Sequence, residues 1–160
     1  MNKIIIIALS ILSFVACSKD NDDKNAYSDK QQKVQEMFNG TFADYQYSNL
    51  GNSLMGDPDL IIFTNSYPEP IELRKDDYLD GSKYMGEAHG ECTYRKKVLD
   101  DEPYTDIDCY YKIAYDGTAL TLYKRSDKEM YNHYNMVVES STEFKLYQSG
   151  LYLPYIFKKQ

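Results

Sequence analysis

The chain has 160 residues, with 25 acidic against 18 basic side chains, a formal net charge of −7, 17 Tyr, 6 Phe and no Trp. This acidity, with no basic patch interleaved with aromatics, excludes nucleic acid as a partner. The length suits one domain around a single core, and the many Tyr and β-branched residues favour sheet over helix.

The first segment reads as an address. Met1-Asn2-Lys3 carries one positive charge, and Ile4 to Val15 is an apolar run broken only by Ser10 and Ser13, the layout of a signal peptide. The run is shorter than the roughly 20 apolar residues a spanning helix needs. Phe14-Val15-Ala16-Cys17 resembles the bacterial lipobox. The resemblance implies that residues 1–16 are removed and that Cys17 becomes the acylated first residue of the mature chain. That chain would have 160 minus 16, or 144, residues and, having lost Lys3, a net charge of −8. Several acyl chains exceed the two signals that stable membrane anchoring requires. Residues 17–27 are too charged to pack and read as a tether. Within it, Ser18-Lys19-Asp20-Asn21-Asp22-Asp23 resembles the acidic export signal of Bacteroidota surface lipoproteins, which implies attachment to the outer membrane and display at the cell surface.

The folded part is expected over 28–160. Ser28-Asp29-Lys30-Gln31 has the pattern of a capping box, and Val34, Met37 and Phe38 recur at helical spacing, so a helix is predicted from Asp29 to Phe38, ended by Asn39-Gly40. Nine β-rich segments follow: Thr41–Tyr47, Leu60–Thr64, Ile71–Arg74, Gly90–Val98, Ile107–Tyr115, Ala119–Lys124, Tyr134–Glu139, Glu143–Gln148 and Tyr152–Lys158. Asp116-Gly117 is a two-residue hairpin signal that sets Ile113 opposite Leu120 and Tyr111 opposite Leu122. Alternation then puts Ile107, Cys109, Tyr111, Ile113 and Tyr115 on one face. A second hairpin, centred on Asp100-Asp101, sets Cys92 opposite Cys109. In an oxidising compartment these two form a disulfide, the alternative being two unpaired thiols.

The predicted class is therefore all-β: an antiparallel meander closed into a roughly eight-stranded barrel, preceded by one short N-terminal helix. The helix running into Gly40-Thr41-Phe42, followed by hairpins ending in Leu151 to Lys158, resembles the lipocalin-like (calycin-type) lipoproteins of Bacteroidota over residues 36–160. The family has Gly-x-Trp at its first strand and an Arg on its last. Here Phe42 stands in the place of the Trp, and Lys158 and Lys159 are the cations of the last strand.

The resemblance implies a non-enzymatic protein whose interior receives a small apolar or amphipathic ligand. Tyr111, Ile113, Leu120, Leu122, Met136, Val138, Phe144 and Leu146 are read as inward-facing, with the Tyr111 hydroxyl orienting the guest. The same list also suits a packed core. In that case function lies in loops such as Ser66–Pro70 or Lys124–His133, meeting a protein or glycan partner. No cofactor is expected. Asp76-x-Tyr78-x-Asp80-Gly81-x5-Glu87 matches a calcium loop only in part, because Tyr78 occupies a carboxylate position, and it reads as an acidic turn. His89 and His133 lack second ligands at useful spacing, so no metal site and no catalytic residues are assigned.

Overall fold

The computed structural model of the protein describes residues 26–45, 58–77, 79, 81–96 and 103–160. The expectations for the signal segment, for Cys17, for most of the tether and for Asp100-Asp101 lie outside these residues.

A short helix, α1 (Asp29–Met37), precedes eight strands: β1 Gly40–Asp44, β2 Leu60–Asp77, β3 Gly81–Lys96, β4 Thr105–Ile113, β5 Ala119–Lys124, β6 Met130–Ser140, β7 Glu143–Tyr147 and β8 Tyr155–Lys159. They form a closed antiparallel barrel in sequence order, β8 pairing back onto β1 through Phe42 opposite Lys159 and Asp44 opposite Phe157. The fold class is that expected from alternation and turn chemistry. The hairpin register is also as read, with Ile113 opposite Leu120, Tyr111 opposite Leu122 and Cys92 opposite Cys109.

The helix begins where its capping box says. The Gln31 amide donates to Ser28 Oγ at 3.1 Å while Ser28 N–H donates to Gln31 Oε1 at 2.9 Å, which satisfies donors that a helix N-terminus otherwise leaves open. Phe38, read as its last residue, is instead the C-cap. Released from the helix, its ring drops into one end of the barrel, stacked on Phe63 at 4.0 Å between centroids and edge-on to Tyr111 and Phe144. The helix thus closes that end, next to the β4–β5 and β6–β7 turns.

Three expectations need correction. Leu60–Thr64 and Ile71–Arg74 are one strand, β2, whose pairing with β3 jumps from Ser66 opposite Gly90 to Ile71 opposite Ala88. The intervening Tyr67-Pro68-Glu69-Pro70 bends the ribbon instead of ending it, since proline removes ladder donors and is tolerated at such a break. The segment read as an acidic turn between strands does hold the turn from β2 to β3, closed by Asp77 opposite Gly81 at the tip of this ribbon. Tyr115, read as core, is 77% exposed because β4 ends two residues earlier. Val138, read as inward, is 41% exposed where β6 loses register against β7.

Beyond the bend, the β2–β3 ribbon lies against the outside of the barrel. Leu73 and Ala88 cover Tyr123 in a second small core with Tyr67, Met85 and Tyr110. The ribbon is tied to the β5–β6 turn by Lys75 Nζ to Glu129 Oε1 at 2.7 Å and by Lys128 Nζ donating to the Arg74 carbonyl at 2.7 Å.

Where the ribbon leaves, β4 loses its partner strand. Gly90 opposite Tyr111 is the last pair, so the Ile113 amide and carbonyl have no β3 backbone to bond. Side chains replace it: Ile113 N–H donates to His89 Nδ1 at 3.1 Å, and Gln31 Nε2 donates to the Ile113 carbonyl at 3.0 Å. Gln35 Nε2 likewise donates to the carbonyls of Tyr67 and His89 at the bend. Buried backbone groups are costly to leave unbonded, so this end of the barrel depends on α1 and His89.

To accept from Ile113, the His89 ring must keep Nδ1 unprotonated. The ring is 1% exposed, meets Tyr27 edge-on, and is held to a pKa of about 4 chiefly by burial, then by the Lys112 charge, with Glu87 opposing. The unfolded chain, near pKa 6.5, therefore binds a proton that the folded chain refuses, and stability is full above pH 6.5 and declines as pH falls toward 4. From pH 6.5 to 5 the loss should be about 2 kcal/mol, read from urea midpoints, and His89→Gln should flatten that slope. An unchanged slope in the variant would show that His89 is not the group responsible.

Candidate functional site

Apart from Val138, the side chains read as facing a ligand are all inward and all covered. Tyr111, Ile113, Leu120, Leu122, Phe144 and Leu146 have no exposed surface and Met136 has 3%, and together with Phe38, Phe42, Ile61, Phe63 and Phe157 they form one contiguous cluster. They are packed core, because Phe38 fills the volume between β2, β4 and β7. The Tyr111 hydroxyl, assigned to a guest, is bonded at 2.8 Å to Ser66 Oγ, and burial raises its pKa to about 12.

Cys92 and Cys109 lie in the middle of the barrel, directly opposed, 2% and 0% exposed, and both are free thiols. The expected register is present, and it sets the two sulfurs face to face as thiols. Burial holds both protonated, Cys92 well above its ordinary value and Cys109 at about 12, whereas disulfide exchange requires a thiolate.

At the end opposite α1 the interior changes character. Continuing each inward register by two residues reaches Tyr94 beyond Cys92, Ile107 beyond Cys109, Tyr134 beyond Met136 and Tyr155 beyond Phe157, and a further two on β6 reach Asn132. Tyr94 and Tyr134 are buried, while Ile107, Tyr131 and Tyr155 are half-buried and rest on the core. The rings meet edge-on, Tyr94 with Tyr131 at 5.9 Å and Tyr134 with Tyr155 at 6.3 Å. Their hydroxyls are ordered: Tyr94 Oη donates to Asp59 Oδ2 at 2.9 Å, and Asn132 Nδ2 donates to Tyr134 Oη at 2.7 Å. Burial raises the pKa of Tyr94, Tyr131 and Tyr134, with neighbouring tyrosines and Asp59 adding to it, so the phenols remain neutral. The Asp44 carboxylate, fully buried on β1, also belongs to this end, its Oδ1 accepting from Ile156 N–H at 3.3 Å.

Among the described residues, this end carries exposed apolar side chains beside the charged β5–β6 turn. Leu151, Tyr152 and Leu153 in the β7–β8 loop are 51%, 101% and 70% exposed, and Met130 at the start of β6 is 62% exposed. Leu79, at the tip of the outer ribbon, is 92% exposed. The mouth can therefore offer aromatic faces, hydroxyl donors, an amide and carboxylate oxygens to something entering from solvent, which is the mixture of apolar wall and few polar groups typical of a binding site.

Of the loops read as alternative contact surfaces, Ser66–Pro70 is the bend gripped by α1, and Lys124–His133 is the end of β5, the Arg125–Glu129 turn and the first four residues of β6. Among the described residues no group of three or more His, Cys, Asp or Glu side chains could hold a metal ion. No family of proteins, no curated protein and no solved structure shows significant similarity to this chain.

Proposed function

We propose that this chain is a non-enzymatic, lipid-anchored binding protein of the outer membrane, displayed at the cell surface, that receives a small amphipathic molecule at the open mouth of its barrel. The observation that carries this reading is the contrast between the two ends. One end is sealed by α1 and Phe38, whereas the other presents half-buried Tyr131 and Tyr155 above ordered hydroxyls.

The lipobox-like Phe14-Val15-Ala16-Cys17 supports the anchor. The acidic Ser18-Lys19-Asp20-Asn21-Asp22-Asp23 stretch, which resembles the export signal of surface lipoproteins, supports the display, and the position of the tether indicates which end faces the membrane. Ser28 Oγ donates to the Tyr115 carbonyl at 2.5 Å, fixing the start of α1 beside the β4–β5 turn at the sealed end. An extended chain spans about 3.5 Å per residue, so nine residues between Cys17 and Tyr27 reach about 30 Å from a membrane. The sealed end would then face the lipid and the mouth would face away from it.

The test uses the mature chain carrying Cys17→Ser and a neutral solvatochromic dye such as Nile red. Saturable one-site binding is expected, and the paired changes Tyr131→Ser and Tyr155→Ser should weaken it at least about tenfold while leaving thermal unfolding within a few degrees. If the wild-type chain binds no dye, the mouth does not take small molecules, and the exposed Leu151-Tyr152-Leu153 rim becomes the surface for a protein or glycan partner.

A further inference from the structure

Cys92 and Cys109 are brought together by one set of residues and covered by another. The β3–β4 ladder that opposes them runs without a break from Gly90 opposite Tyr111 to Lys96 opposite Thr105. The adjoining β4–β5 hairpin, with Lys124 opposite Cys109, is equally local. Such contacts form early, because little chain has to be closed to make them. Directly opposed residues have Cα atoms roughly 4.5 to 5.5 Å apart, within the span of a disulfide. The cover comes from farther along the chain. Phe63 lies opposite Cys92 on β2, and Phe38, Phe144, Leu146 and Phe157 complete the same core from beside α1 and from β7 and β8. In the closed barrel Cys92 is 2% and Cys109 0% exposed, so a disulfide donor cannot bring a sulfur into line with either. Burial is also the first cause that keeps both thiols protonated. An open hairpin has neither obstacle.

We infer that Cys92 and Cys109 form a disulfide site that can be oxidised only while the barrel is open, and that closure then fixes whichever state the pair has reached. The oxidant is a disulfide donor of the kind an oxidising compartment supplies. One cysteine thiolate attacks the donor's disulfide, making a mixed disulfide and releasing one donor thiol. The second cysteine thiolate then attacks the first cysteine's sulfur, which closes the Cys92–Cys109 bond and releases the second donor thiol. Two cysteine protons leave, and two electrons pass to the donor. A barrel closed with the bond carries a covalent tie between β3 and β4, whereas one closed without it, the form in this structure, holds two inert thiols. The inference is independent of what the mouth binds.

The test uses the mature chain carrying Cys17→Ser, in which Cys92 and Cys109 are the remaining cysteines, and oxidised glutathione as the donor. Reduced chain diluted from urea into the donor should emerge with an intact mass lower by two hydrogens. The same chain folded first and then given the donor should react at least about a hundredfold more slowly, because its thiols are reached only through unfolding. Urea added below the unfolding midpoint should restore that reactivity. The bonded chain should refold to the same far-ultraviolet spectrum with a higher urea midpoint, and dithiothreitol should reduce it only once urea is present. Equal oxidation rates for folded and refolding chain would overturn the gating by closure. A refolding chain that yields only glutathione adducts or free thiols, or a bonded chain with a lower urea midpoint, would overturn the pairing itself.

Discussion

Phe38→Ala should cost about 3 to 5 kcal/mol of stability, read from urea unfolding, the range for deleting a buried Phe whose neighbours cannot collapse into the gap. The ring is 2% exposed and touches Phe63, Tyr111 and Phe144 from three different strands. None of those strands can move inward without breaking a closed ladder, so the void should persist. The same variant should begin to bind benzene-sized apolar solutes at the sealed end, since a dry cavity lined by apolar groups accepts them. A loss under about 1 kcal/mol would mean that Phe38 is not the stopper of the barrel.

Gly90→Ala should be comparably severe, at least about 3 kcal/mol, or should prevent folding altogether. Gly90 is where the β2–β3 ribbon leaves the barrel wall, and it is tightly enclosed. A Cβ there would collide with the Asn65 carbonyl oxygen and come within 2.6 Å of the Tyr111 ring. Tyr111 is locked by Phe38, Phe63 and its bond to Ser66, and Asn65 is held in the β2–β3 ladder, so neither neighbour can yield cheaply. Native-like stability in the variant would show that the ribbon can bend elsewhere. Leu122→Trp, which would block a vacant interior, is by contrast an overpacking of fully buried core.

Most of the barrel was legible because its signals are local. The capping box at Ser28 and Gln31, the register set by Asp116-Gly117 and the period-two alternation in β4 as far as Ile113 each act over a few residues, and each is realised. The centred hairpin arithmetic that set Cys92 against Cys109 also held, because no bulge interrupts β3 and β4 between Gly90 and Lys96. The failures came where tertiary contacts override a local pattern. Tyr67-Pro68-Glu69-Pro70 has the composition of a loop, and only the three glutamine bonds and His89 from elsewhere in the chain make it a bend within one ribbon. The choice of site residues failed for a similar reason. Alternation gives the inward face of a strand but not the depth at which the interior stops being solvent-accessible. That boundary is set by Phe38, whose helical spacing suggested only an amphipathic helix. The mouth residues Tyr94 and Tyr134 were within reach, each two positions beyond a residue already placed on the inward side, whereas no inward face had been read in the last strand that could point to Tyr155. Tyr131 was not, since the irregularity between Leu122 and Tyr123 shifts β6 against β5 and changes which residues face in.

The seam of the barrel has a consequence for how the molecule comes into being. Every ladder joins neighbours in the chain except the one between β1 and β8, which brings Ala43 to Lys158. Hairpins can form as the chain emerges, but the ring cannot shut until its last strand is made, because closing a loop that long waits on the final residues. Until then β1 and β7 both present open edges, the configuration most prone to pairing with another chain. A chain threaded through a membrane before β8 has been made would therefore be threaded with its barrel still open.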